Sequence, residues 1–584
     1  MQRKIKNFSF NELLSIAFIL SFCSFSYELL IAKTLVNLTG NTILWESITI
    51  GIYIFSLGFG TLISKYFIKG NIFPKLFLLE NMLSIFGSVC VTAIIFFNIY
   101  YYYLYLSGRV ERLGILDITK NITDLVYYSR DLKYISFSLF VFLSQSVTFF
   151  IGMLSGLEIP FLLKAAKDMG LSHKNNFILG ISFLGTLLST IVFSFILLPN
   201  IGIVSISVFI GSINLLICFF LFLRKSAYKS NKVSISIILL SILVISSVIR
   251  FSEKIESISL KTSYFALNYF GSKKTFADFI ADINKFPEVE RITTLYQNID
   301  IMPSPLGEYK KFSDKDFQLF IDGHFQFDTF TEEFYHAGLV KAPAALLNIY
   351  PENILVLGAG DGFLIRDLLQ QYPKAKKITH IEIDPEMVGL AKTFPALVLH
   401  NKNSLSNHHV QTITGDAFYF IRNSKEQYDA IYIDFPHPFN YDISRLYSIE
   451  FFSHLAKRIS PNGFAVIDSP LFRKEEIKSY LIKGQNSPAE RMILANNVIL
   501  NTLRKTNLKF YPYIVGAEGF ILITNPDLKV SWNEEEKQRI IYNSLGYSWI
   551  TENLLYEFPY EINDRYINSV FSPKFLAFKD VRKF

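Results

Sequence analysis

Long apolar runs fill the chain up to about residue 250, and short ones follow. Seven stretches, at 12–34, 43–64, 76–104, 134–163, 176–198, 201–223 and 233–250, carry few charges. Most approach the ~20 residues that a helix needs to cross a bilayer core. The pattern predicts an N-terminal multi-pass α-helical membrane domain. The first stretch is too long for a secretory signal and lacks a small-residue cleavage site, so it reads as a retained helix. Beyond residue 250 short β-branched runs alternate with helix-like segments, which predicts an α/β domain with a doubly wound sheet. The expected divisions are a membrane domain over 1–250, a linker over 251–290, a small β element over 291–345, an α/β domain over 346–530 and a C-terminal extension over 531–584.

Composition sharpens the membrane reading. Hydrophobic residues make up 51% of 584, Phe alone numbers 57, and mean hydropathy is +0.31. The net charge of +7 is modest, and the cations stand beside apolar runs rather than along a basic face. Membrane flanks are expected and nucleic acid is not. Three cysteines, all in apolar runs, supply neither a disulfide framework nor a thiolate metal site. No metal is expected.

Cations also bear on topology. Arg3, Lys4 and Lys6, then Lys65, Lys69 and Lys75, then Lys164, Lys167 and Lys174, then Arg224, Lys225, Lys229 and Lys232 fall on alternate loops. The positive-inside rule makes all four groups cytoplasmic. Seven spans then put the C-terminal part outside. An even number, with the short last stretch lying in the interface, keeps it in the cytoplasm, which a cytosolic metabolite requires. The expected location is the cell's inner membrane. Glu28, Lys33, Glu46 and Glu158 lie in or at the rims of these stretches. Charges at such depth are costly and point to ion pairing, interfacial placement, or a transport or ligand role.

The chemistry gathers later. "NILVLGAGDG" over 353–362 is a strand closing on a glycine turn, and a helix-like "FLIRDLLQQY" follows. Gly358, Gly360 and Gly362 allow close backbone approach to a ligand at a helix start. "KITHIEIDP" ends a second strand in Glu382 and Asp384, where an acid can accept from both ribose hydroxyls. "VQTITGDAFYFI" places Asp416 at a third tip, suited to an adenine amino group, and "YDAIYIDFP" ends a fourth in Asp434. With no phosphate-binding cation beside the turn, the pattern is a nucleoside-binding sheet of the S-adenosylmethionine type.

On these motifs the chain resembles the spermidine synthase (polyamine aminopropyltransferase) family, from about 290 to 525. "GAGDG" stands for the family's glycine turn, "IEID" for its ribose acid, and Asp416-Ala417 for its Asp-Ala or Asp-Gly pair. "LYQNI" supplies Tyr296-Gln297, "FIDGHFQ" supplies Asp322, Gly323 and Gln326, and "FYHAGL" supplies Tyr335 and His336. "SFSYELL" and "GLEIPFL" are similar to its membrane-embedded branch. The resemblance implies decarboxylated S-adenosylmethionine as co-substrate, no prosthetic group, a diamine such as putrescine as acceptor, and a lipid bilayer as surroundings, with homodimerisation open. Gln297, Gly358, Gly360, Glu382, Asp416 and Ala417 are expected at the nucleoside, and His336, Asp361 and Tyr447 at the amine. Asp434 is expected as the base with His437 assisting.

The family's Asp-x-x-Asp-Pro loop reads here Asp434-Phe435-Pro436-His437-Pro438, so a histidine replaces its second acid. Alignment on Tyr335-His336 puts Thr331 and Ala337 where the family has Asp and Glu. The amine half is altered, and two further readings stay open. One is another S-adenosylmethionine-dependent transferase; the other is a nucleoside- or polyamine-sensing domain attached to a transporter.

Overall fold

The computed structural model describes residues 9–40, 42–113, 122–224, 231–266, 275–306, 311–347, 349–438, 441–469, 488–515, 518–528 and 566–575. The chain divides into two compact units, Met1–Met302 and Pro303–Phe584.

The first unit is helical because its sequence offers little but apolar surface to bury. Its first helix, α1 (Phe10–Thr39), opens on a capping box between Ser9 and Glu12 and stops at Gly40, whose φ of 79° is the left-handed conformation that glycine tolerates. There follow α2 (Thr42–Phe67), α3 (Phe73–Leu113), α4 (Ile122–Ser155), α5 (Glu158–Asp168), α6 (Asn175–Val192), α7 (Ile203–Leu223) and α8 (Asn231–Phe265). Seven helices among the described residues are long and apolar enough to cross a membrane. Leu62, Phe142, Phe183, Leu216 and Leu243 are exposed, as a lipid-facing surface requires. Inside, small residues let helices approach closely: a Cβ on Gly211 would lie 2.7 Å from the Ser84 carbonyl oxygen, and one on Gly156 would lie 2.3 Å from that of Leu57.

Two details depart from the hydropathy pattern. The fourth stretch is one apolar run in sequence but breaks at Gly156–Leu157, between α4 and α5. The last stretch is not short, since α8 runs for 35 residues. Its polar end is held within the unit: buried Lys261 pairs with Glu288, and the Tyr264 hydroxyl donates to Asp300. Residues 251–290, expected as a linker, hold the end of α8, a short helix α9 (Phe276–Ile283) and the first residue of β1 (Glu290–Thr293). β1 pairs antiparallel with β2 (Asn298–Leu306). Beside this pairing Arg291 grips Asp300 through two bonds of 2.6 Å.

The second unit opens with the hairpin of β3 (Lys311–Ile321) and β4 (His324–Asp328), turned by Asp322 and Gly323 at φ 50° and 77°. Its main sheet contains β5 (Asn353–Gly358), β6 (Lys377–Glu382), β7 (Val410–Thr414), β8 (Tyr428–Asp434), β9 (Ile459–Asp468), β10 (Lys509–Val515) and β11 (Glu518–Thr524), ordered β10-β11-β9-β8-β5-β6-β7. The five strands from β5 to β9 run parallel, and β11 returns antiparallel to β9. Residues of β5 alternate between two cores: Ile354 and Val356 pack on one face, Leu355 and Leu357 on the other. A strand covered on both sides has no reason for a polar face, which explains the unbroken apolar run. The chain winds outward through β6 and β7, then returns to place β8 on the other side of β5. That reversal opens a crevice at the C-terminal ends of β5 and β8, where α/β sheets hold ligands.

Candidate active site

The glycine turn fixes the geometry of the crevice. Gly358 sits at φ 81°, and a Cβ there would lie 2.0 Å from the Asp434 carbonyl oxygen, so β5 and β8 meet only without a side chain. Ala359 also takes the left-handed region at φ 62°. A Cβ on Gly360 would come within 2.9 Å of Glu382 Oε2, which holds the turn against the acid of the next strand. Gly362, at φ 82°, starts the helix Phe363–Gln371. A second segment braces the turn: Asn401 donates to the Asp361 carbonyl at 2.8 Å, and the Ser404 hydroxyl to that of Gly362 at 2.6 Å.

His380, unremarked in the sequence, is buried within β6 and lies 2.9 Å from the Gly358 carbonyl through Nε2. A carbonyl only accepts, so Nε2 carries the proton and Nδ1 accepts from Thr412 at 3.2 Å. Burial pushes its pKa down to about 4, which keeps this strut neutral.

Around the turn the acids fall into two groups. In the first group, Glu382 is buried and accepts from the Asp384 amide at 3.0 Å. Burial raises its pKa to about 7. Asp384 instead caps the helix Pro385–Thr393. The Gly415 amide donates to the Glu382 carbonyl at 2.8 Å and so brings the end of β7 alongside. Next to it Asp416 caps the helix Ala417–Asn423, accepting from the Phe418 and Tyr419 amides at 2.7 and 3.2 Å. Its other oxygen meets Arg445 at 2.7 Å, an ion pair between residues 29 positions apart that no local pattern signals.

Asp434, Asp361 and Asp468 form the second group. Tyr335 donates to Asp434 Oδ1 at 2.8 Å. Burial holds the Asp434 pKa above the usual carboxylate range, against the Tyr335 bond and the charge of His336. Asp361 accepts from the Phe363 amide at 2.8 Å, and its pKa rises to about 6 through burial and then the charge of Asp434. Asp468 ends β9, one position beyond the pairing of Ile433 with Ile467 that joins β8 to β9. Its Oδ1 is buried without a hydrogen-bond partner among the described residues. Burial and the charge of Asp434 push its pKa well up.

Sequence reasoning passed over Asp468 although "GFAVID" has the same form as the other strand ends. It also passed over Glu332, a helical turn before His336. Glu332 bonds His336 Nδ1 and accepts from Arg366 at 2.9 and 3.1 Å. Arg366 also grips Asp367 at 2.8 Å, and Asp367 lies 3.3 Å from His336. Burial works to lower the His336 pKa, but the neighbouring carboxylates outweigh it and the net shift is upward. Glu332, His336 and Asp367 offer ligand atoms within 4.8 Å of one another. The Arg366 guanidinium already supplies that cluster with a cation.

Three further expected residues are Tyr447, His437 and Gln297. Tyr447 is buried, and its hydroxyl donates to the carbonyls of Phe435 and Pro436 at 3.4 and 3.3 Å, holding the start of the loop after Asp434. His437 is exposed and makes no hydrogen bond or ion pair among the described residues. Gln297 belongs to the first unit, in the turn between β1 and β2, where its carbonyl accepts from the Thr294 amide at 2.9 Å.

Residues 330–502, which include the glycine turn and all three aspartates, match the family model for the spermine/spermidine synthase domain. Over that stretch the chain carries a spermine/spermidine synthase domain. The polyamine aminopropyltransferase of Leptospira interrogans is 28% identical over 465 residues, covering 78% of this chain and 79% of that protein. The polyamine aminopropyltransferase of Oceanobacillus iheyensis is 26% identical over 464 residues, covering 78% and 77%. Both matches are longer than the whole second unit and so run into the helical unit, as a membrane-embedded branch of the family requires. A crystal structure of spermidine synthase from Thermotoga maritima, 16% identical, gives a TM-score of 0.34 and covers 44% of this chain and 81% of its own.

Proposed function

We propose that the protein is a membrane-bound aminopropyltransferase with an altered amine site. It transfers the aminopropyl group of decarboxylated S-adenosylmethionine to a diamine such as putrescine. The observation that carries this reading is the pair of acid groups flanking one glycine turn. Glu382 and Asp416 suit a nucleoside, while Asp434, Asp361 and Asp468 suit a polycation.

The reaction needs positioning more than covalent help. An amine nitrogen attacks the aminopropyl carbon bound to the sulfonium, that C–S bond breaks, and neutral methylthioadenosine leaves. An alkyl amine with a pKa of ~10 is protonated and inert at neutral pH, so a base must take its proton. Asp434 fills that role: Tyr335 orients one oxygen, and burial makes the carboxylate a stronger base than a surface one. Asp361 and Asp468 hold the ammonium ends of the two substrates, and Tyr447 keeps the Asp434 loop in place. His336 positions Glu332 rather than touching the amine. Glu382 accepts from the ribose hydroxyls, and the Ala417 backbone meets the adenine.

The same acids predict which donor binds. Ordinary S-adenosylmethionine carries an α-carboxylate that the three aspartates repel; the decarboxylated form has only an ammonium there. Calorimetry on the detergent-solubilised full chain should show the decarboxylated donor binding at least about tenfold more tightly, ~1.4 kcal/mol. Tighter binding of S-adenosylmethionine would favour the second reading, a different transferase on the same nucleoside pocket. One observation leans that way: Glu332 and Asp367 are spent on Arg366 and His336 rather than left for an amine.

A further inference from the structure

The helical unit has an acidic centre of its own. Glu80 in α3 is fully buried, and its Oε2 accepts from Asn214 Nδ2 of α7 at 3.3 Å. Glu158 is 3% exposed and starts α5, directly after the break at Gly156–Leu157 in the fourth span. The two carboxylates are close enough to feel each other's charge, and Cys23 of α1 feels both. Three oxygens there are buried with no hydrogen-bond partner among the described residues: Glu80 Oε1, Glu158 Oε1 and Asn214 Oδ1. No lysine or arginine forms a salt bridge with either glutamate among the described residues.

This arrangement is poor as a structural device. Ionisable groups inside a membrane bundle are expensive unless paired, and each unpaired acceptor adds to that cost. Backbone that leaves the helix at membrane depth is tolerated where protein surrounds it or where it lines a binding cavity, as in the broken helices of transporters. Here α5 packs on α3 at the break, two carboxylates and a fully buried amide oxygen leave acceptors open among the described residues, and the Ser84 hydroxyl one turn after Glu80 is open beside them. The missing partner is therefore a donor or a positive charge.

We propose that Glu80, Glu158 and Asn214 form a cation site inside the helical bundle. Hard oxygen ligands without thiolate or imidazole select a primary ammonium, with three N–H donors for three open oxygens, or an alkali or alkaline-earth ion. The site belongs to the first unit and stands whether or not the second unit transfers aminopropyl groups.

The test follows thermal unfolding of the detergent-solubilised full chain at pH 8 while putrescine, spermidine, sodium, potassium, magnesium or calcium is titrated. An Asp434→Asn, Asp468→Asn background removes the second unit's own amine response. At least one cation should raise the unfolding midpoint saturably. Glu158→Gln and Glu80→Gln should abolish the rise, with methylthioadenosine binding retained as the check on folding. Asn214→Ala, which keeps both charges, should shift half-saturation about tenfold upward, the loss of roughly one hydrogen bond to a charged group. A response to the amines alone assigns an ammonium site, and one to the inorganic ions alone assigns a metal site. The absence of any cation response, or one that persists in the glutamine variants, overturns the proposal and leaves two protonated acids in a polar core.

Discussion

Asp434 is the residue on which the proposed chemistry turns, because it is held by Tyr335, half-buried, and placed where β8 meets the glycine turn. Asp434→Asn keeps the shape and removes the base. Turnover should fall by about 10²–10⁴, the usual contribution of general-base catalysis, while methylthioadenosine binds almost as before. Glu382 gives a second test, with a pH signature. Its pKa is raised to about 7, so below that pH the side chain carries a proton and cannot accept from both ribose hydroxyls. Nucleoside affinity should climb as pH rises from 6 to 8 and then level off. In Glu382→Gln the profile should be flat, and the affinity at pH 8 lower by roughly 1.5–3 kcal/mol. Calorimetry over that range decides it. Glu382 and Asp434 could be read from sequence because each ends a recognisable strand. Glu332 and Arg366 could not, since their meaning lies in an ion-pair cluster that only the fold assembles.

Among the elements, the strand–turn–helix after β5 carries the site, and two glycines separate its local demands from ordinary helix propensity. Gly358 has a left-handed φ of 81° and no room for a Cβ. Gly389 lies within the helix Pro385–Thr393, with nothing within 4 Å of an added Cβ. Gly358→Ala should destabilise the protein by at least ~2 kcal/mol through strain and displacement of β8. Gly389→Ala should be neutral or stabilise by up to ~1 kcal/mol. Chemical denaturation of the two variants side by side measures the contrast. The alternation of β5 between two cores was visible in sequence only as an unbroken apolar run, which gives burial but no strand order. The break in the fourth span had a signal that hydropathy passes over: in "SGLEIP" Pro160 has no N–H for the Gly156 carbonyl four residues back, and Thr61 of α2 donates to that carbonyl instead at 3.0 Å.

At the scale of the whole molecule, an apolar bundle precedes a domain whose proposed substrates are water-soluble cations. Hydropathy gave the number of long apolar helices, and the structure describes the same seven. The side of the membrane on which the second unit lies is a matter of flanking charge rather than of hydropathy. The Lys- and Arg-rich flanks predict the cytoplasm, and a reporter fused after Phe584 should read there in intact cells. An external reading would separate the domain from a cytosolic donor. The central claim, however, is the reaction. Purified full-length protein, in detergent, should convert decarboxylated S-adenosylmethionine and putrescine to methylthioadenosine and spermidine in equal amounts by mass spectrometry, with Asp434→Asn at about 1% of that rate or less. Equal rates in the two proteins, or methylthioadenosine released without an aminopropylated amine, would contradict it.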